Sequence, residues 1–197
     1  MHVLGLTGSI AMGKSTTANM FREAGVSVHD ADRVVHEAYG GDLAPVIEQQ
    51  FPGSTKDGVV DRAQLAMFLT GPDGPANLKR LEAIVHPVVR EAELAFRVQH
   101  ESAGTPLIVL DIPLLFETGR ETQVNSVLVV TAPEDIQRER ALARPNMTDD
   151  KLTTILSRQL PDAEKRKRAD HIIDTSQGLE RARDEVHALI DRLSAAK

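Results

Sequence analysis

The chain has 197 residues, enough for one core domain with inserted elements. Hydrophobic residues make up 41% and charged residues 26%, a balance that excludes wholesale disorder. There is no cysteine, so disulfides, a thiol nucleophile and cysteine-ligated zinc are excluded, while a net charge of -6 with one Tyr and no Trp argues against a dedicated nucleic-acid binder.

The first predicted element is a buried parallel strand over residues 3–7, short and mostly apolar. Gly8-Ser9-Ile10-Ala11-Met12-Gly13-Lys14-Ser15 follows it, and a helix from Thr16 to Ala24 follows that, stopped by Gly25. G-x-x-x-x-G-K-S between a strand and a helix is a phosphate-binding loop. Its backbone N–H groups point inward, and the helix N-terminus adds positive potential. In such a loop Lys14 reaches the β- and γ-phosphates of a nucleotide and the Ser15 hydroxyl is offered to magnesium. Thr16, next on the helix, completes the nucleotide-binding set.

A second strand is expected over 26–29, ending at Asp30-Ala31-Asp32. Ligands of parallel sheets sit beyond the C-terminal strand ends. One of these carboxylates therefore suits the proton of an acceptor hydroxyl, and the other suits a helix cap or magnesium with its waters. The residues alone leave open which is which. About 70 residues then separate this strand from the next, too many for a simple crossover. Pro52-Gly53 and Asp57-Gly58 mark turns, residues 60–69 have helical spacing, and a long helix runs from 76 towards 99, kinked or divided at Pro87. A helical region over 32–105 that covers the acceptor is the expectation. His86 is a lone histidine with no metal-binding companion.

The third strand, 107–111, ends in Asp111, the position from which a carboxylate contacts magnesium. Leu114, Leu115 and Phe116 follow it, either as an apolar wall for the acceptor or as core packing. Strands over 127–130 and 171–174 complete a predicted five-stranded, mostly parallel α/β sheet flanked by helices. Between them, 134–168 carries many arginines and lysines on helices divided by Pro145 and Pro161, the composition of a mobile flap over phosphates. A last amphipathic helix spans 179–193. The nucleotide-binding core is thus expected over 1–31, 106–133 and 169–197, with 134–168 as lid. No signal peptide pattern and no apolar run near the ~20 residues of a membrane span are visible, so the expected location is the cytoplasm, with no membrane partner.

Taken together, these residues resemble the dephospho-coenzyme A kinase family. The resemblance runs from Leu6 through Ser15 to Asp30-Ala31-Asp32, then Val60-Asp61-Arg62 with Leu65 and Phe68, and Leu81 through Pro87. It continues through Asp111-Ile112-Pro113-Leu114-Leu115-Phe116-Glu117, Gln137, Arg140, Arg144, Gln159 and Ala169-Asp170. It implies a P-loop kinase fold with helical substrate-binding and lid regions. It also implies transfer of the γ-phosphoryl group of ATP, with Mg2+, to the ribose 3′-hydroxyl of dephospho-coenzyme A. By the resemblance Asp30 is the favoured base with Asp32 beside the acceptor, and Arg62 and His86 belong to the acceptor region. Arg140 and Arg144 are lid groups that neutralise phosphates, and 170–174 leads towards the adenine side of ATP. A monomer or weak homo-oligomer is expected. Two positions depart from the family pattern: Arg144-Pro145 where Arg-Asp is frequent, and Asp174-Thr175 where Asp-Asn is common. Rival readings are another small-molecule kinase of the same loop class, or a nucleotide-dependent protein switch. The absence of N-K-x-D weakens a guanine-specific version of the switch.

Overall fold

The structure, a computed structural model, describes residues 1–195. The chain divides into two compact units, one of Met1–His29 with the chain from His100 onward, the other of Asp30–Gln99.

The first unit is built on a five-stranded sheet. Its strands are β1 (His2–Thr7), β2 (Ser27–Asp30), β5 (Leu107–Asp111), β6 (Ser126–Thr131) and β7 (His171–Asp174), in the order β2-β5-β1-β6-β7. β1 pairs in parallel with both β5 and β6, and β6 in parallel with β7. Strands of this kind are covered on both faces and so read as apolar runs rather than alternations. Every residue of β5 and β6 is buried. On one face Leu4, Leu6, Val109 and Leu128 pack with Phe21 of helix α1 (Lys14–Glu23) and Val186 of helix α9 (Leu179–Ala195). Fully burying a Leu or Phe contributes about 1.5–3 kcal/mol each, so this cluster stabilises the sheet edge that carries the loop. The unit also contains α6 (Glu134–Leu142), α7 (Asp149–Leu156) and α8 (Asp162–Arg168), separated where Pro145 and Pro161 stand.

The second unit contains α2 (Ala31–Tyr39), α3 (Leu43–Gln50), a small hairpin of β3 (Thr55–Lys56) and β4 (Val59–Val60), α4 (Arg62–Phe68) and most of α5 (Gly74–Ser102). Its core joins Tyr39, Leu43, Ile47, Phe51, Leu65 and Leu81. The hairpin turn is Asp57-Gly58, with φ of 52° and 78°, the pair of left-handed residues that a two-residue hairpin needs. Glu48 braces its base by accepting from the N–H groups of Gly53 and Thr55.

Most predicted elements stand, with shifts at several ends. β2 is shifted one residue towards Asp30, and α1 begins at Lys14 rather than Thr16. Residue 60 lies in β4, so the helix of this stretch begins only at Arg62. Pro87 neither ends nor divides α5, which is one helix of 29 residues. A helical proline removes one hydrogen bond, at the Ala83 carbonyl, and the remaining turns of so long a helix carry it through. Among the described residues no helix is long and apolar enough to cross a membrane.

Candidate active site

The loop Gly8–Ser15 leaves the C-terminal end of β1 and turns into α1. Two of its residues have positive φ, Ala11 at 61° and Gly13 at 92°. Gly8 is required by proximity: a Cβ there would lie 2.7 Å from the Val130 carbonyl oxygen of β6. The Met12 N–H donates to the Ser9 carbonyl at 3.2 Å, and the Thr17 N–H to Gly13 at 3.0 Å. No side chain caps α1 at Gly13, and no acidic residue occupies its first turn. Such a helix start presents N–H groups and positive potential to an anion. Ser9, Ala11 and Met12 are buried, Ile10, Gly13 and Lys14 half-buried, and Ser15 and Thr16 exposed.

Lys14 reaches across to β5 and forms an ion pair with Asp111, whose side chain is 5% exposed. The sheet register makes this possible, since Asp111 stands opposite Leu6 and the next N–H, of Ile112, donates to the Leu6 carbonyl at 2.9 Å. Asp111 and Ser15 are hard oxygen donors of the kind that suits magnesium, which takes one or two protein ligands and completes its shell with phosphates and water. Among the described residues there is no group of three or more His, Asp or Glu that would hold an ion without a substrate. The two donors fit that mode of binding.

Arg140, on α6, donates from Nη1 to the Thr175 hydroxyl at 2.8 Å and from Nη2 to the Thr175 carbonyl at 2.9 Å. The Thr175 hydroxyl lies 3.0 Å from the Met12 carbonyl and 3.2 Å from that of Thr131. One threonine thus joins the loop, β6 and the arginine. Arg140 and Arg144 line a cavity of about 270 Å³ with Ala11, Gly13, Thr16 and Thr175. The departure at Thr175 therefore falls on a hydrogen-bonding hub, and Arg144 keeps its place beside the cavity with Pro145 next in the chain. Nothing in the sequence marked Thr175 as more than a variant position.

Leu115 is fully buried, and a Cβ on Gly5 would meet its Cδ1 at 2.6 Å. It is a core residue and not an exposed wall. Leu114 beside it is 40% exposed and accessible to a ligand. Three residues beyond Leu114, Glu117 pairs with Lys165 of α8 at 2.9 Å and accepts the Leu160 N–H at 2.7 Å, with Lys165 fully buried. Burial pushes the Glu117 carboxyl upward, but the Lys165 ammonium and the backbone N–H groups of Leu160 and Glu117 together outweigh it and hold the group below the ordinary range.

Asp30, the last residue of β2 and the first of the second unit, caps α2, its carboxylate accepting the Arg33 N–H at 3.1 Å. Asp32 and Arg62 line one cavity of about 480 Å³ with Val35, Tyr39, Leu65 and Leu69. Arg62 lies 3.3 Å from His36 Nδ1, and its guanidinium carbon is 5.5 Å from the centre of the Tyr39 ring. Burial raises the Tyr39 phenol above its ordinary pKa, with the Arg62 charge acting against it. Asp32 and Arg62 are thus brought together. His86 is not: it is exposed on α5 and takes no part in lining this cavity. Tyr39 was not singled out from the sequence, and its only signal there was that it is the single tyrosine.

The dephospho-CoA kinase family model matches residues 2–181. The chain belongs to the dephospho-CoA kinase family. A dephospho-CoA kinase of Mesorhizobium japonicum is 60% identical over 193 residues, covering 98% of this chain and 97% of that protein. One of Rhodopseudomonas palustris is 54% identical over 197 residues, covering 100% and 97%. A crystal structure from Thermus thermophilus superimposes with a TM-score of 0.82 at 33% identity, covering 98% of this chain and 97% of the other. The reaction of the dephospho-CoA kinase family is ATP-dependent phosphorylation of dephospho-coenzyme A to coenzyme A, the last step of coenzyme A synthesis. The family resemblance and the parallel P-loop kinase-like sheet read from the sequence are both borne out.

Proposed function

We propose that Lys14, Arg140 and Asp30 carry the chemistry by which this chain phosphorylates dephospho-coenzyme A, and that the acceptor atom is the ribose 3′-hydroxyl. The observation that carries the donor half is the uncapped start of α1 behind a loop with two left-handed residues, which leaves backbone N–H groups for phosphate. The loop from Gly8 to Thr16 binds the triphosphate of ATP. Lys14 turns from Asp111 towards the β- and γ-phosphates, and Arg140 and Arg144 neutralise the charge that spreads as the phosphoryl group moves. Ser15 and Asp111 would hold magnesium, which when bound neutralises phosphate charge and aligns the oxygens.

Asp30 accepts the proton of the attacking hydroxyl, and its place at a strand end supports that role. Asp32 and Arg62, which line one cavity, bind the acceptor. Leu114, exposed in the turn after β5, belongs to the substrate's surroundings in this reading. Region 32–105 receives the acceptor, and 134–168 acts as a lid that excludes water and suppresses hydrolysis. The partner is the free small molecule, and the chain acts as a monomer or weak homo-oligomer, which light scattering at assay concentration checks.

The deciding experiment is an ADP-release assay with dephospho-coenzyme A against other hydroxyl acceptors, followed by mass analysis of the product. Release that depends on dephospho-coenzyme A, with one phosphate added at the 3′ position, is expected. ADP release indifferent to the acceptor, without a phosphorylated product, sinks the reading and favours a nucleotide-dependent switch.

A further inference from the structure

Two glutamines of the first unit are unexplained by the proposed chemistry. Gln137, on α6, is buried, and its Nε2 donates to the Ile10 carbonyl at 2.8 Å. Gln159, just beyond α7, accepts the Ile10 N–H on its Oε1 at 3.1 Å. Both backbone polar groups of one loop residue are thus held by side chains from about 130 and 150 positions away. The amide orientations follow from the partners. A backbone N–H can only donate and a carbonyl only accept, so flipping either amide would lose its bond.

The same residue is held by apolar contacts. Ile10 packs with Met147 and Leu156 against a cluster of Ala11, Ala141 and Leu152. Its neighbour Ala11 has φ 61°, a left-handed conformation that opposes any residue with a Cβ. Such a conformation persists only where the surroundings over-determine it. Ala11 also begins the stretch of the loop that leads into the uncapped start of α1.

We infer that Gln137 and Gln159 form a two-sided clamp on Ile10 that keeps the phosphate loop in its anion-binding shape, making both glutamines positioning residues for the donor nucleotide. Neither needs to touch ATP. The clamp works by preorganisation: the ordering of the loop is completed in folding rather than at the moment of binding. It also joins both flanks of the arginine-bearing segment 134–160 to the loop, so the seating of that segment and the shape of the loop reinforce one another. This inference rests on the reading of Gly8–Ser15 as the ATP site.

The test variant is Gln159→Met, which keeps side-chain length and removes the acceptor at a half-buried position. ATP affinity is measured directly by calorimetry with magnesium, and amide exchange is followed over residues 8–13. The expected result is a Kd for ATP raised roughly five- to tenfold, the scale of one lost hydrogen bond to a constrained group. Exchange of the loop amides should quicken while that of α1 and α9 holds, and the KM for dephospho-coenzyme A should stay within about twofold. Gln137→Met should act in the same direction, and if that buried variant fails to fold, Gln159→Met decides alone. A folded Gln159→Met protein with unchanged ATP affinity and unchanged loop exchange overturns the clamp, as does equal weakening of both substrates. A wild-type protein that binds ATP yet transfers nothing to dephospho-coenzyme A overturns the proposed function instead, since the exchange and affinity measurements need no acceptor.

Discussion

The two units carry their chemistry in contrasting ways. In the proposed reading the first gathers its phosphate contacts around a contiguous eight-residue loop, where a Cβ on Gly8 would lie 2.7 Å from the Val130 carbonyl oxygen of β6. The second disperses its contacts over side chains of α2 and α4, with Arg62 steadied by His36 and the Tyr39 ring. A phosphate has the same shape in every nucleotide, so a rigid backbone cradle suits it. An acceptor is one particular molecule, and side chains that meet from separate elements provide the selection. The contrast implies that substitutions in the first unit should change ATP binding or turnover, and those around Arg62 should change acceptor affinity alone.

The largest expected effect lies at Lys14. Lys14→Ala removes the loop's ammonium, which is proposed to leave Asp111 for the transferred group, and turnover should fall roughly 10³-fold. Circular dichroism should show a folded protein, because the sheet core does not include this side chain. Unchanged turnover in that folded variant would remove the loop from the chemistry and break the contrast at its stronger side.

Asp30→Asn comes next and separates chemistry from structure. Asn caps helices about as well as Asp, so the bond to the Arg33 N–H survives the change. A lost general base costs roughly 10²- to 10⁴-fold in kcat, while ATP affinity should hold. If ATP or magnesium binding weakens and kcat does not, Asp30 is no base and the role passes to Asp32. Arg62→Ala should be milder: a KM for dephospho-coenzyme A raised about ten- to a hundredfold, the worth of a charged hydrogen bond, at near-normal kcat. Loss of ATP affinity in that variant would show that the two units do not divide the substrates as proposed.

The same contrast explains what could be read without coordinates. Gly8–Ser15 is legible because the glycines, lysine and serine of a phosphate cradle stand in one contiguous run between a strand and a helix. Asp111 is legible because a parallel strand must end where ligands sit. Thr175, Gln137 and Gln159 make their loop contacts at separations of 163, 127 and 149 residues, and no local pattern carries that information. Pro87 does not divide the helix, because propensity is a weak prior against the tertiary setting of a 29-residue helix. Leu114 and Leu115 look alike in sequence, yet only one is buried, since adjacent side chains leave a turn in different directions. Helix α3, eight residues between a glycine pair and a Pro-Gly turn, is too short to announce itself by periodicity.

The smallest expected effect tests the first unit far from its loop. His2 and His171 begin the outer ends of β1 and β7, and His2 Nε2 lies 2.7 Å from the Ser126 hydroxyl. Burial is the main force holding both imidazoles below their ordinary pKa of 6.5. The chain's N-terminal charge adds to it at His2, Arg192 adds to it at His171, and Asp170 opposes it at both. A depressed pKa in the folded state means that the unfolded chain binds protons first. Stability is therefore constant above about pH 6.5 and declines as pH falls from there towards the folded values. Both side chains retain much solvent contact, so the decline is small, about 1–2 °C in Tm between pH 7.5 and 5.5. Replacing both histidines by Gln should flatten that slope without changing ATP affinity. A slope that survives the double replacement would mean that other groups, and not this end of the sheet, set the acid sensitivity of the unit.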